Sequence, residues 1–429
     1  MKAIVIAIGS YGDVHPLVGI AATLKARGHN VLFATNGHFE SLAKGEGLEF
    51  AELGSAEEYH IAINDPDLWD AHKAAEKVAE WAIGGLLRPV YELIEKHRVP
   101  GQTIVVAAAL GLGARLAQEK LNLPTITTQL QPVVFLSLDD PPVLPMVPRW
   151  SPRFYMRFIY WLAARVIMGR HVMPKLNAFR KELGLAPVAK DALYTYWNSP
   201  QRVLALFPEW FAAPAPDWPK QVRQTGFPLY DEKGVNAFPP DVEAFLKEGA
   251  APIAFTPGSA MLQGRPFFEA AAEACRILGK RGMLLTRYAE NIPPSLPPGV
   301  KHFPFVPFSE LLPRVAALVH HGGIGTTAQA LAAGTPQLIM PMAHDQPDNA
   351  ARVEKLGVGL TISRKKFRGP QVAARLKQLI DDPKYKSRAQ SVAKLFVDAR
   401  ALEKAVEEIE ALARDTGVLQ ARASSSARM

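Results

Sequence analysis

Only one cysteine, Cys275, occurs among 429 residues, so no internal disulfide can brace this chain. It sits in the run Ala272-Glu273-Ala274-Cys275-Arg276-Ile277-Leu278, where a small buried thiol is expected to serve as core packing. No apolar stretch reaches the ~18 residues that a membrane span requires. Met1-Lys2-Ala3-Ile4 runs into a short apolar strand without the n-region, longer apolar segment and cleavage site of a signal peptide. A cytoplasmic location is therefore expected. Neither glycine-rich turn has the G-x-G-x-x-G spacing with an acidic residue ~20 positions on, which argues against a two-Rossmann oxidoreductase. His, Cys and carboxylates are nowhere grouped at metal-ligand spacing, so the site is expected to work without a metal or other cofactor. Acidic residues are missing from Pro141 to Lys181, the one place where basic residues concentrate. Elsewhere the net charge of +8 is spread among interleaved Lys, Arg, Asp and Glu. No nucleic-acid-binding module accompanies it, so no nucleic-acid partner is expected.

What is present is the patterning of a soluble α/β protein. Hydrophobic residues make up 48% and charged residues 21%, and the length suits two or three domains. Short apolar runs alternate with glycine turns and helix-like segments, first at Ala3–Ile8, Val31–Thr35, Ile104–Ala108, Thr125–Thr128 and Val203–Phe207. The alternation restarts at Pro252–Thr256, Gly282–Thr286, Ala316–His320 and Gln337–Met340. Strands alternating with helices imply parallel, doubly wound sheets. The proline-rich stretch 212–219 approaches a boundary, and a linker is expected within 225–240. Leu402, Val406, Ile409 and Leu412 recur at helical spacing, so Ala401–Arg414 reads as an amphipathic helix. The small, polar tail 421–429 is expected to be disordered.

Three turns carry candidate chemistry. In Val319-His320-His321-Gly322-Gly323-Ile324-Gly325-Thr326-Thr327 a strand ends and a glycine pair opens the backbone. Thr326 or Thr327 is then expected to cap a helix. A helix N-terminus offers unpaired N–H groups and a positive dipole end to a phosphate, and His321 can donate beside it. A tight turn with a satisfied histidine fits the same letters. The second turn, Asp345-Gln346-Pro347-Asp348-Asn349, suits recognition of sugar hydroxyls, or simply caps a helix. Both turns are expected to open on one edge of one sheet. The third, Gly9-Ser10-Tyr11-Gly12-Asp13-Val14-His15-Pro16, puts a carboxylate where a pyrophosphate would otherwise sit. It is a poor dinucleotide site and a fair place for a general base, with Asp13 as helix N-cap the alternative. Pro16 is expected in the first turn of the following helix, and His15 is a weaker base candidate.

These residues resemble the donor-binding signature of the family 1 nucleotide-sugar glycosyltransferases. The match runs through His321-Gly322-Gly323, Thr326-Thr327, Ala332–Pro336 and Pro341 to Asp345-Gln346-Pro347-Asp348-Asn349-Ala350. The turn at residues 9–16 resembles the same family's N-terminal turn. Segments around Asp65–Asp70, Pro89–Glu92, Leu206–Phe211 and Asp217–Leu229 look more narrowly like the rhamnosyltransferases of bacterial rhamnolipid synthesis. The resemblance implies a GT-B fold: two Rossmann-like domains facing a cleft, at 1–228 (acceptor) and 229–395 (donor). It also implies a final helix, 396–420, returning to the first domain.

By the same resemblance, His321 with the backbone near Gly323, Gly325 and Thr326 would hold a diphosphate, with Ser259 nearby. Asp345 and Gln346 would bind the donor sugar, and Phe305 would lie under the nucleobase with Val306 offering backbone contacts. Asp13 matches the catalytic base, with Tyr11 and His15 on the acceptor side. Gln329 stands where many UDP-sugar users have a glutamate gripping both ribose hydroxyls, which leans toward a dTDP-sugar such as dTDP-rhamnose over UDP-glucose.

The basic, aromatic stretch 149–181 suits the acceptor side, with Phe154, Phe158 and Trp161 facing a hydrophobic or lipid-like acceptor or the inner-membrane surface. A core helix with solvated arginines is the plain alternative. The expected activity is inverting hexosyl transfer from a dTDP- or UDP-sugar to an acceptor hydroxyl. UDP-glucose transfer to a sterol, a flavonoid or another aromatic molecule, a non-catalytic nucleotide-sugar-binding subunit and a GT-B epimerase stand as alternatives.

Overall fold

The computed structural model describes all residues except 71–72, 145–146, 149, 190–192, 232–237, 260, 262–263 and 420–429. Arg149, the tail 421–429 and the middle of the expected linker thus lie outside the described residues. Seven strands build the first sheet: β1 (Lys2–Ile6), β2 (Asn30–Thr35), β3 (Glu49–Glu52), β4 (Thr103–Ala108), β5 (Thr125–Gln129), β6 (Arg202–Ala205) and β7 (Val222–Gln224). Their spatial order is β3-β2-β1-β4-β5-β6-β7, and every pairing is parallel. Six strands build the second: β8 (Ile253–Thr256), β9 (Gly282–Leu285), β10 (Val300–Phe303), β11 (Ala317–His320), β12 (Gln337–Ile339) and β13 (Gly359–Thr361). Their order is β10-β9-β8-β11-β12-β13, again parallel throughout. Each sheet reverses its winding beside its first strand, at β1/β4 and at β8/β11. A crevice opens there at the strands' carboxyl ends.

Helices cover both faces of each sheet, so the central strands are apolar on both sides. Ile4, Ile6 and Val105 pack into one core, Ala3, Val5 and Val106 into the other. The last helix, Ala401–Asp415, joins the second of these: Val406 and Ile409 pack with Val14, Leu17 and Leu24 of the helix Tyr11–Ala26. Its polar side pairs Glu410 with Arg27 (3.1 Å) and His29 (3.0 Å), and Glu408 with Arg202. Cys275 is buried in the second sheet's core, and burial pushes its thiol up to about 12.

A further apolar cluster belongs to both halves. Phe207, Phe211 and Trp218 from the first pack with Ile324, Leu331 and Val353 from the second. Beside it lies a buried ion pair. The Asp348 carboxylate accepts from Arg352 Nε at 2.8 Å and from Val143 N–H at 3.0 Å, while Arg352 also reaches Asp140 at 3.1 Å. Side-chain exposure is 4% for Asp348 and 10% for Arg352, so neither charge has water to fall back on. Truncating Arg352 to alanine is expected to destabilise the protein by about 3–5 kcal/mol, because it strands the buried carboxylate. A shift of under 1 kcal/mol in urea unfolding would contradict this.

Three local expectations are corrected. The helix after β1 starts at Tyr11 with Ser10 as N-cap, so residues 11–13 are helical and Pro16 lies inside the helix. Asp13 is therefore not the N-cap. The helix Ile324–Ala332 is capped by Gly323, and Thr326 and Thr327 sit within its first turns. Both helices start earlier than the polar letters suggested, because a serine or glycine in the short turn after a strand suffices to start the helix.

Candidate functional site

The first half of the site is the turn after β1. Gly9 has φ +132, and a Cβ there would lie 2.3 Å from an Asp13 carboxylate oxygen, so glycine alone fits. That clearance lets the Asp13 carboxylate fold back and accept from Ser10 N–H at 2.8 Å and Ser10 Oγ at 3.2 Å. Desolvation raises Asp13 to about 6 against the lowering effect of those bonds, and the Asp345 charge adds to the rise. A carboxylate held near neutrality can take a proton at physiological pH.

The second half follows β11. His320 is fully buried, with Gly322 N–H donating to its Nδ1 at 3.1 Å and its Nε2 2.9 Å from Gln337 Oε1. It shapes the turn and does not face a ligand. His321 lies against two glycines: a Cβ at Gly258 would be 2.8 Å from its ring, and one at Gly323 2.5 Å. Burial lowers His321 to about 4, so it is a neutral imidazole at pH 7, and its buried Nδ1 has no partner among the described residues. Gly325 faces the first half directly, since a Cβ there would come 3.4 Å from Gly12 Cα. Two helix N-termini therefore meet across the crevice.

Asp345 caps the next helix, Gln346–Lys355. Its carboxylate accepts from Asn349 Nδ2 at 2.6 Å and from Ile324 N–H, and burial raises it to about 6. Gln346 is 2% exposed, and its Oε1 accepts from Met342 N–H (2.8 Å) and Ala343 N–H (3.2 Å). That oxygen shapes its own loop.

Between the halves lies a cavity of ≈ 190 Å³. Tyr11 and His15 line it from the first half, and Ser259, Phe305, Val306, Gly325, Thr326 and Gln329 from the second. Asp13, His321, Gly323, Asp345 and Gln346 are not among its lining residues. Asp13 adjoins the cavity through Gly12, and His321 through Gly258. Phe154, Phe158 and Trp161 are absent from the lining as well. They stand 77%, 51% and 47% exposed on the helix Arg153–Ala163, with the Phe158 and Trp161 rings stacked at 5.9 Å. Their expected place against a pocket is thus corrected to an open surface: on that helix only Met156 is buried.

Two residues of the site escaped the motif reading. Arg287 follows β9 and reaches over the cavity to Tyr11 and Phe305, with a ring distance of 4.7 Å to the first and 5.0 Å to the second. Its position just past a strand's carboxyl end is the signal that could have found it. His344 adopts φ +57, unusual for a non-glycine residue, and its Nε2 lies 2.9 Å from Leu68 O of the first half. Burial lowers its pKa. No letter before Asp345 announces such a contact. Among the described residues no group of three or more His, Cys, Asp or Glu could hold a metal ion.

Each half of the chain resembles a known domain. Residues 3–137 match the glycosyltransferase family 28 N-terminal domain, and residues 284–412 match the C-terminal domain of erythromycin biosynthesis protein CIII-like proteins. The chain is 29% identical over 425 residues to O-mycaminosyltylonolide 6-deoxyallosyltransferase of Streptomyces fradiae, covering 96% of this chain and 97% of that one. It is 25% identical to a sterol 3-beta-glucosyltransferase of Saccharomyces cerevisiae over 94% of its own length but only 34% of that protein's. The solved structure of the kitacinnamycin glycotransferase superposes with a TM-score of 0.74 at 22% identity, over 96% of this chain and 98% of that one.

Proposed function

Starting from a chain that is a glycosyltransferase of GT-B fold, we propose that it transfers a hexose with inversion from a dTDP-sugar to a hydroxyl of a hydrophobic, lipid-like acceptor. The observation that carries the reading is the meeting of Gly12 and Gly325, which sets the Asp13 turn against a helix N-terminus flanked by His321.

In this reading Asp13 accepts the acceptor hydroxyl's proton as its oxygen attacks the anomeric carbon. The bond from that carbon to the diphosphate breaks, and the diphosphate leaves with the electron pair. Neutral His321 and the amides around Gly325 and Thr326 stabilise the growing charge on the leaving oxygens. Phe305 supports the nucleobase, Val306 offers backbone contacts, Ser259 lies by the phosphates, and Asp345 and Gln346 address the sugar. No metal has a step here.

Gln329 is 8% exposed and lines the cavity, where an amide grips a ribose diol less firmly than a carboxylate does. This supports a dTDP-sugar. A deoxyhexose such as rhamnose is supported by the rhamnolipid-like segments and by the deoxyhexose named in the Streptomyces relative. Replacing Gln329 by glutamate is expected to lower KM for UDP-glucose relative to dTDP-rhamnose by about tenfold, as a charged hydrogen bond to the second hydroxyl would. An unchanged donor ratio would remove Gln329 from the specificity argument.

The acceptor reading is supported by the helix Arg153–Ala163, whose exposed aromatics stand among Arg153, Arg157 and Arg165. Such a face suits an anionic lipid surface. No helix among the described residues is long and apolar enough to cross a membrane. UDP-glucose transfer to a sterol or an aromatic molecule is the second reading, favoured by the sterol glucosyltransferase relative.

Acceptor-dependent release of nucleoside diphosphate decides between them, with dTDP-rhamnose and UDP-glucose each offered a hydroxy-fatty-acid dimer, a sterol and a flavonoid. Donor binding without turnover on any pair would instead indicate a binding subunit. Nucleotide release without acceptor would point to an epimerase.

A further inference from the structure

We propose that Arg287 is a residue of the nucleotide site, parked across the cleft on Tyr11 until a nucleoside diphosphate draws it onto its own charge. The inference rests on the donor-site reading above. Arg287 stands exposed in the loop after β9, where the strand's carboxyl end delivers it to the cavity. Its guanidinium donates to Tyr11 Oη, and it covers the Tyr11 ring at 4.7 Å and the Phe305 ring at 5.0 Å. The two rings come from opposite halves of the molecule, so one side chain bridges the crevice.

No carboxylate pairs with Arg287 among the described residues, whereas the exposed Arg276 and Arg314 are held by Glu273 at 2.8 Å and by Glu243 at 2.6 Å. An unneutralised cation over two half-buried aromatic rings is a weak resting arrangement. A phosphate oxygen offers a stronger, charge-assisted bond. Arg287 shares the cavity wall with Gly258, Ser259, Gly325 and Thr326, the backbone that would cradle a diphosphate. It also occupies the Phe305 face on which a nucleobase would stack. A base arriving there and the guanidinium compete for one ring, so binding displaces Arg287 toward the charge that accompanies the base.

The displacement has a consequence on the other side of the cleft. Tyr11 opens the helix that carries Asp13, and its hydroxyl lies 3.2 Å from His38 Nε2 as well as on Arg287. Release of Arg287 leaves this hydroxyl to His38. Donor binding and the environment of Tyr11, in the first half, are then linked through a single side chain.

Calorimetric titration of the full chain with dTDP, UDP and thymidine, without acceptor, tests this in the wild type, Arg287→Ala, Arg287→Lys and Tyr11→Phe. Arg287→Ala is expected to weaken both diphosphates by roughly tenfold or more, while thymidine, freed of a competitor for the Phe305 ring, binds as well as before or better. The difference should narrow with added salt, and lysine should restore part of the affinity. Tyr11→Phe should bind the diphosphates at least as tightly as the wild type, since it loosens only the parked state. Equal diphosphate affinity in Arg287→Ala overturns the proposal, as does an equal loss for thymidine or for Tyr11→Phe. A wild type that binds neither diphosphate overturns the donor-site reading itself.

Discussion

Asp13→Asn is expected to lower kcat by about 10²–10⁴-fold while donor affinity changes little, the size of effect typical of a lost general base. The asparagine keeps the side chain's shape and can still accept from Ser10, so the turn after β1 should hold. In the wild type, kcat/KM should rise with pH through about 6, because Asp13 acts only when ionised and burial has raised it to that value. The Asp345 charge contributes to the rise. Asp345→Asn should therefore move the acid limb to lower pH, whatever it does to KM, since the neighbouring negative charge no longer opposes ionisation of Asp13. Stability offers a separate check. A carboxyl raised from 3.8 to about 6 is costly to the fold when ionised, a cost that develops as pH rises between those values. Asp13→Asn should accordingly melt higher than the wild type above pH 6, with the gain vanishing below 3.8. A pH–rate profile flat through 6, or a loss in the variant of under tenfold, would rule Asp13 out as the base.

His321→Ala should cost about 10²–10³-fold in kcat, comparable to removing one donor from a preorganised anion site. His321→Gln, which keeps a donor, should recover part of it. Burial lowers His321 to about 4, so it remains the same neutral donor across the range in which Asp13 titrates. The acid limb should therefore stay in place in both His321 variants while the rate falls. A displaced limb would mean that His321 takes part in proton transfer and does not merely stabilise the leaving group. A loss confined to melting temperature would reduce it to a filler between Gly258 and Gly323.

Which strands could be read from the letters follows from their place in the sheets. β1, β2, β4, β5, β6, β8, β9, β11 and β12 lie within a residue or two of the expected runs, because most strands covered on both faces are apolar runs, β5 with its buried threonines being the exception. β3, β7, β10 and β13 match no expected run, and each is an edge strand. Glu49 and Glu52 in β3, Arg223 in β7 and Lys301 in β10 face solvent, and three- or four-residue strands with such letters look like loop. The helix starts failed for a related reason: Gly323 turns the chain through its backbone, so the threonines after it misled.

The sequence by itself determined the two parallel-sheet halves, the returning helix pattern and the fixed-order turns around Asp13, His321 and Asp345. These are local: apolar runs, glycine turns and the spacing of polar residues after strands are written within some thirty residues. Only the tertiary structure decided which groups share the crevice. Gly12 meets Gly325, Arg287 spans from Phe305 to Tyr11, His344 reaches Leu68, and the Asp345 charge adds to the rise of Asp13. It also set Phe154, Phe158 and Trp161 on open surface, away from the cavity. The physical reason is that burial and charge–charge distance belong to pairs of segments hundreds of residues apart. No local pattern encodes how closely two sheets' edges approach, and that approach sets the pKa values and contacts on which the chemistry depends.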